Sequence, residues 1–369
     1  MQETAYMTER IGERWAFFAA SNSAQGFYSR YAMLFEHPTA RLYLIKGGPG
    51  SGKSRLLWDM VTAAESAGFT AELYLCSSDP TSLDAVHLEH PDGRCLIALD
   101  ATAPHSMEAN RPGVREQLID LGAFWDQEQL LSQRAEIEQL MEQKEGHYEA
   151  AYRYLGAAEL CRKNAAQILA PLIRTDALRR LARRCVAGAI EGERISEAAV
   201  KHVCTDSIGM KGRIYLPTLV RHATRLCCFP PCYGLPYLML EEIRKEGEQR
   251  GADMIVSHHP AYPDCVDGVF FRESRVACLA HPVQLDGIQG YCRSFRLRHL
   301  LDAAGLREVR EQLRMLQKQQ DTLESAAVQA LDRASRAHFA LEEIYGAAMD
   351  FSAKEEYSRR LIAQLFGKK

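Results

Sequence analysis

The stretch that decides the reading of this chain is Gly47-Gly48-Pro49-Gly50-Ser51-Gly52-Lys53-Ser54. It meets the spacing G-x-x-x-x-G-K-[ST] at Gly47, Gly52, Lys53 and Ser54. Just before it, Arg41 to Lys46 is a short apolar run of the kind a buried strand shows. Just after it, Leu56, Leu57, Met60, Val61 and Ala64 recur at helical spacing, and the pattern stops at Gly68. The glycines let the backbone turn successive N–H groups inward on an anion, and the following helix adds the positive end of its dipole. The eight residues Gly47 to Ser54, with Arg55 beside them, are therefore expected to cradle phosphates. Lys53 is placed for the β- and γ-phosphates and Ser54 for Mg²⁺, so the expected ligands are ATP and Mg²⁺.

Working outward, Ala71 to Cys76 reads as a second strand, Ser77 to Asp84 as a polar loop around Pro80, and Cys95 to Leu99 as a third strand ending at Asp100. Strand, glycine loop, helix, strand, loop and strand predict an α/β fold: a P-loop NTPase parallel sheet with helices on both faces. Asp100 stands where a carboxylate holds Mg²⁺ directly or through water. The next residue is Ala101, where many ATPases carry a water-activating glutamate, which predicts slow turnover. Asp79 and Asp84 fall in the loop after the second strand, at the edge that faces the ligand crevice of a parallel sheet. Each can serve as a base or water positioner, with a turn residue that satisfies the loop backbone as the alternative. Lys53, Asp100 and Asp79 are the catalytic candidates. His105 is a further residue that can face the γ-phosphate, with a structural role as the alternative. Arg174, Arg179, Arg180, Arg183 and Arg184 crowd one helical stretch, as an arginine finger or as the solvated face opposite Leu178, Leu181, Cys185 and Val186.

Long helical patterns follow. Ile137, Met141, Tyr148, Ala151, Leu155 and Ala158 form a stripe that Lys144 interrupts; a shorter amphipathic helix covers Asp176 to Ile190. Leu306 to Ile344 keeps an apolar seam broken only at Gln320, which predicts a helical hairpin or bundle. The chain also reads as two copies of one design. With Arg41-Leu42 placed on Arg225-Leu226, Pro49 meets Pro231, Gly52 meets Gly234, Gly68 meets Gly251, Pro80 meets Pro263, Asp84 meets Asp267 and Arg94 meets Arg275. Ser21 to Gly26 has an echo at Ser207 to Gly212. The expected halves are 1–194, with a core about 38–110 and a helical region 111–194, and 195–369, with a core about 213–290 and a helical region 294–369. The boundary falls near Glu191 to Ser196. In the second half Leu235 stands for Lys53, Pro236 for Ser54 and His281 for Asp100. Leu brings no charge and Pro neither hydroxyl nor N–H, so only the first half is expected to bind Mg-triphosphate.

Composition narrows the field. A formal charge of −3 over 369 residues speaks against a global nucleic-acid or membrane-surface role. The 11 cysteines show no disulfide or zinc framework, and Cys227, Cys228 and Cys232 fit a buried strand with free thiols better than a metal site. The apolar run Trp15 to Ala20 is too short for a secretion signal, and no run reaches the roughly 18 residues of a membrane span. These features predict a cytoplasmic chain with reduced thiols.

The segments Gly26-Phe27-Tyr28-Ser29, Gly47 to Ser54, Cys76-Ser77-Ser78-Asp79, Asp100-Ala101-Thr102-Ala103-Pro104-His105 and Ala347-Ala348-Met349-Asp350-Phe351 resemble a family of bacterial tandem P-loop ATPases. The resemblance spans nearly the whole chain. It implies a nucleotide site in each half, and this sequence departs from that pattern at Leu235 and Pro236. The reading that follows is a slow Mg-dependent ATPase, with a protein partner reached through the helical segments. Its alternatives are a phosphotransferase with its acceptor near Asp79, Asp84 and His105, and an ATP sensor without turnover.

Overall fold

The computed structural model describes residues 10–35, 37–190, 198–280 and 291–367. The architecture is α/β, with two six-stranded sheets and long helices. The first sheet is built from β1 (Trp15–Phe18), β4 (Arg41–Lys46), β5 (Thr70–Leu75), β6 (Leu83–Glu89), β7 (Cys95–Asp100) and β8 (Glu116–Asp120), in the order β1-β5-β6-β7-β4-β8. A hairpin of β2 (Ala20–Ser23) and β3 (Gly26–Ser29) stands beside it. The second half supplies β9 (Val200–Val203), the hairpin β10 (Asp206–Gly209) and β11 (Gly212–Tyr215), then β12 (Arg225–Cys228), β13 (Met254–His258), β14 (Val266–Phe271), β15 (Val276–Leu279) and β16 (Tyr291–Ser294). Its sheet order is β9-β13-β14-β15-β12-β16, the first order with every number raised by eight. Strand directions repeat as well. Both hairpin tips turn on a left-handed glycine, Gly26 at φ 91° and Gly212 at φ 87°.

Two features depart from the sequence expectation. The sheets are mixed rather than parallel, because β6 runs antiparallel to both β5 and β7. Its connections, residues 76–82 and 90–94, are too short for a parallel crossover, which takes a dozen or more residues. Asp84 therefore lies on β6 and is buried, not in a loop. Nor, among the described residues, do long helices cover both faces of each sheet. Tyr43 and Ile45 of β4 pack with Leu56, Leu57, Met60 and Val61 of α1 (Lys53–Ser66). The alternate residues Leu42 and Leu44 share a core with Leu226, Cys228, Ile255, Phe270, Ala277 and Leu279 of the second sheet. Period-two alternation thus sends one face of each sheet to helices and the other to its twin. Each fully buried Leu at these layers contributes roughly 1.5–3 kcal/mol.

The helices tie the halves together. After the first sheet come α2 (Arg134–Leu169) and α3 (Thr175–Ala187); after the second strand-loop unit begins, α4 (Leu235–Gln249); then α5 (Ala303–Ala347) and α6 (Phe351–Phe366). The expected long helical segments are all present. Ala151 and Leu155 of α2 meet Ala327, Ala330 and Leu331 of α5, while Leu169 shares a core with Leu306 and Leu313, so the two run antiparallel. The terminal arms are exchanged: α3, from the first half, packs on α4 of the second, and α6, from the second half, packs on α1 of the first. Arg179 and Arg183 pair with Glu242 and Glu246 of α4 at 3.3 and 3.5 Å, which places that arginine-rich face against the second half. Cys227 and Cys228 lie on β12 with free thiols. The boundary region 191–196 and His281 lie outside the described residues.

Candidate functional site: the glycine loop and its lysines

β4 delivers the chain to the loop Gly47–Gly52, and α1 leaves it at Lys53. Left-handed backbone at Gly50 (φ 68°) and Gly52 (φ 81°) turns the chain into the helix, and Gly52 is its N-cap with no side-chain cap. The start of α1 is therefore free of a competing side-chain acceptor, as an anion site at a helix N-terminus requires. The Ser51 hydroxyl is buried and donates to Gly48 O at 2.9 Å. A Cβ on Gly47 would lie 2.6 Å from Ser51 Oγ, so the loop closes tightly on itself.

The lysine of the loop spans its mouth. Lys53 Nζ donates to Gly47 O and Gly48 O, both at 2.8 Å, and lies 3.6 Å from Asp100 Oδ2. Burial raises the Asp100 pKa, Lys53 opposes that, and the charge of Asp84 adds to it; the net shift is upward. Asp100 is in turn fixed by Thr102, whose N–H donates to Oδ1 at 2.9 Å while its hydroxyl donates to Gly47 O at 2.9 Å. Ser54 Oγ accepts from Leu83 N at 2.9 Å, which joins α1 to β6 and leaves the hydroxyl proton and a lone pair for another partner. Ala101 is fully buried. Arg55, expected at the phosphates, is exposed and lies 3.9 Å from Glu355 of α6.

The remaining acidic candidates are committed elsewhere. Asp79 accepts from Thr81 Oγ1 at 2.8 Å and from Ser82 Oγ at 3.2 Å, the pattern of a turn residue. Asp84 lies 3.1 Å from His105 Nε2, both side chains being less than a tenth exposed. Burial disfavours the charged His105, but Asp84, by charge and hydrogen bond, and Asp100 outweigh it and hold its pKa above the ordinary value.

Several residues at the site had no role in the sequence reading. Gly48 faces the rings of Trp125 and Tyr345, and a Cβ on Gly50 would lie 2.5 Å from the backbone oxygen of Glu342, so the end of α5 roofs the loop. The hydrogen bond from His338, with the charge of Lys53 and the Gly50 N–H, holds the Glu342 carboxyl below its ordinary value. Lys354 of α6 is 1 % exposed, and its Nζ lies 3.2 Å from where a Cβ on Gly52 would stand. Burial pulls its pKa down, with the charge of Arg55, against Asp59 and Glu355. Lys144 of α2 is likewise held down by burial and by the charge of Lys53, against Glu145. Two ammonium groups, those of Lys53 and Lys354, thus stand at one glycine loop, and the charge of Lys53 is felt at Lys144. The sequence signal for Lys354 is a cation on the buried face of α6, in line with Ser358 and Leu361, as Lys144 interrupts the apolar stripe of α2.

Searches of protein-family models, curated proteins and solved structures find no match to this chain. Among the described residues, no helix is long and apolar enough to cross a membrane.

Proposed function

We propose that the first half binds Mg-ATP in the Gly47–Ser54 loop and hydrolyses it slowly, with the helical arms as the moving parts. The observation that carries this reading is that Lys53 and Lys354 stand at a loop of left-handed glycines at an uncapped helix start, beside the largely buried Asp100. A triphosphate leaves water only where donors and cations replace its hydration, and this is such a place. Ser54 and Asp100 would hold Mg²⁺, which would neutralise charge between the phosphates. Lys53 would exchange its two carbonyl partners for phosphate oxygens, and Thr102 would keep Asp100 and the loop in register.

Slow turnover follows from what surrounds Asp100. Ala101 offers no base, Asp79 is held in its turn, and Asp84 is paired with His105. The same commitments argue for hydrolysis or sensing over transfer to an acceptor. The roof formed by α5 and α6 gives the nucleotide a direct route to the long helices, since an arriving anion would repel Glu342 and attract Lys354. Family membership among tandem P-loop ATPases remains part of this proposal.

Calorimetric titration of the full chain with a non-hydrolysable Mg-ATP analogue tests it. The expected result is one site per chain, weakened in Lys53→Ala by on the order of 2–5 kcal/mol. Unchanged affinity in a folded Lys53→Ala would sink the reading. Phosphate release is expected well below the roughly 10 s⁻¹ typical of enzymes.

A further inference from the structure

At the opposite end of β7 from Asp100 lies a second cluster, unrelated to the glycine loop. His87 pairs with Ile97 across the β6–β7 ladder, and Cys95 lies two residues before Ile97, so His87 and Cys95 are diagonal neighbours on one face. His87 Nε2 lies 3.0 Å from Cys95 Sγ. His37, in the segment before β4, brings its Nε2 to 3.7 Å from the same sulfur. Its backbone is held there by Arg115, which donates to His37 O at 2.9 Å. One ligand atom from each of the three lies within 4.8 Å of the others.

These distances fit a metal. Zn–S of about 2.3 Å and Zn–N of about 2.0–2.1 Å at a tetrahedral angle set sulfur and nitrogen about 3.6 Å apart. The two observed separations bracket that value. A plain thiol–imidazole hydrogen bond would account for His87 and Cys95 but not for His37. That ring has its Nδ1 buried without a partner and only a distant sulfur at Nε2. Coordination at Nε2 would give the ring a strong partner, with the ring proton on Nδ1. The donor set, two imidazoles and a thiol, suits Zn²⁺ among the divalent ions.

We propose that His37, His87 and Cys95 form a Zn²⁺ site with three protein ligands and a water in the fourth position. Binding replaces the thiol S–H bond with a Zn–S bond and releases one proton to solvent. Without metal, burial and the charge of Glu89 push the Cys95 thiol up to about 11, so it is neutral at pH 7. Burial is the main influence holding His87 below its ordinary value, which keeps its lone pair available. The site belongs to the first half alone: Phe270, paired with Ala277, occupies the register position of His87 in the second sheet. It lies about 17 Å along β7 from the Asp100 end, at about 3.3 Å per residue, and so depends on no reading of the glycine loop.

The test is titration of the full, chelator-treated chain with Zn²⁺ against a chromophoric competitor, and with Co²⁺ followed by absorption. One Zn²⁺ per chain is expected, with a thiolate-to-cobalt charge-transfer band. Cys95→Ser should abolish the band, and His87→Ala and His37→Ala should each weaken Zn²⁺ at least tenfold, the minimum seen when even an outer partner of a ligand is lost. His37→Ala changes a residue outside the strands, so it decides the matter if Cys95→Ser fails to fold. No stoichiometric binding by the wild-type chain, or binding that survives all three substitutions, would overturn the proposal; the latter would assign the metal to other cysteines.

Discussion

The loops that open α1 and α4 share a strand–loop–helix plan with a left-handed glycine at the helix start. They differ in length, counted from the matching strand positions Arg41 and Arg225, and in nearly every side chain. Each follows a parallel strand, β4 or β12, and each ends in a left-handed glycine N-cap, Gly52 at φ 81° and Gly234 at φ 80°, without a side-chain cap. In the first loop Lys53 turns back over the mouth; in the second Leu235 is fully buried among Met239, Leu240 and Phe229. Tyr233 adopts φ 52°, a conformation that a residue other than glycine takes at a cost of roughly 1–2 kcal/mol. The exchanged arms repeat the contrast. Lys354 follows the cap residue Asp350 as Leu178 follows Arg174, so an ammonium by the first loop corresponds to a leucine in the core of the second half. The lesson is that apolar packing between strand and helix carries the strand–loop–helix shape. The phosphate chemistry is laid over it and can be lost without loss of the shape.

The hardest test of that lesson is to restore the chemistry without the surroundings. The double variant Leu235→Lys, Pro236→Ser puts an ammonium into an apolar core with no described carboxylate in the role of Asp100. It should lose roughly 3–5 kcal/mol of stability, the cost of an uncompensated buried charge. It should still bind one Mg-triphosphate analogue per chain. Urea unfolding and calorimetry read the two quantities. A second binding site in this variant would show that the two residues alone separate the halves, and the comparison drawn above would fail.

Lys354→Met sharpens the comparison at the exchanged arm. Methionine keeps most of the buried stem and removes the charge. The expected loss is about 2 kcal/mol in Mg-ATP affinity, about thirtyfold, as for a hydrogen bond to a charged group. Stability should hold or rise slightly, because a desolvated ammonium has been removed. The mirror change, Leu178→Met, should leave nucleotide binding unchanged. If Lys354→Met binds the analogue as the wild type does, the α6 ammonium is a structural lysine and plays no part at the phosphates.

Sequence alone exposed the parts with strong local patterns. The glycine loop, β4, α1 and the long helices announce themselves through spacing, and the repeat was visible in collinear glycines and prolines. What stayed hidden was long-range. β6 is Leu-Asp-Ala-Val-His-Leu-Glu, buried at most positions, so it lacks the clean alternation of a half-exposed strand. The exchange of α3 and α6 depends on which apolar stripe meets which, and periodicity does not name a partner. Register also corrects two correspondences. Leu96 pairs with Arg41 and Val276 with Arg225, so Arg275 stands for Cys95 rather than for Arg94, and the counterpart of Asp100 is Ala280, one residue before His281. Ala280 is buried, and the second half loses the carboxylate outright.

The smallest predicted effect separates the halves by pH. Asp84 and Asp267 occupy the same register position, and both are buried. Asp84 faces His105, a titrating cation; the charge of Asp267 acts on the guanidinium of Arg213, which does not titrate below pH 12. The His105 pKa is raised in the folded chain, with burial opposing and Asp84 and Asp100 prevailing. A raised cation pKa stabilises the fold fully below the unfolded value, about 6.5, and that stabilisation is lost as pH rises through the folded value. Asp84→Asn should therefore cost more at pH 6 than at pH 9, by about 1.5 kcal/mol at most, the lower range for a charge-assisted hydrogen bond. Asp267→Asn should cost the same at both pH values, since Arg213 stays charged throughout and His258, on which Asp267 also acts, is held down by burial to about 3 and is neutral at both. Asp100 and Lys53 also act on His105, but they are present in both variants and in the wild type, so they cancel in the comparison. Urea midpoints of the three proteins at the two pH values measure the difference. An equal cost of Asp84→Asn at pH 6 and pH 9 would mean that His105 carries no extra proton in the folded state, and the two buried carboxylates would then be equivalent.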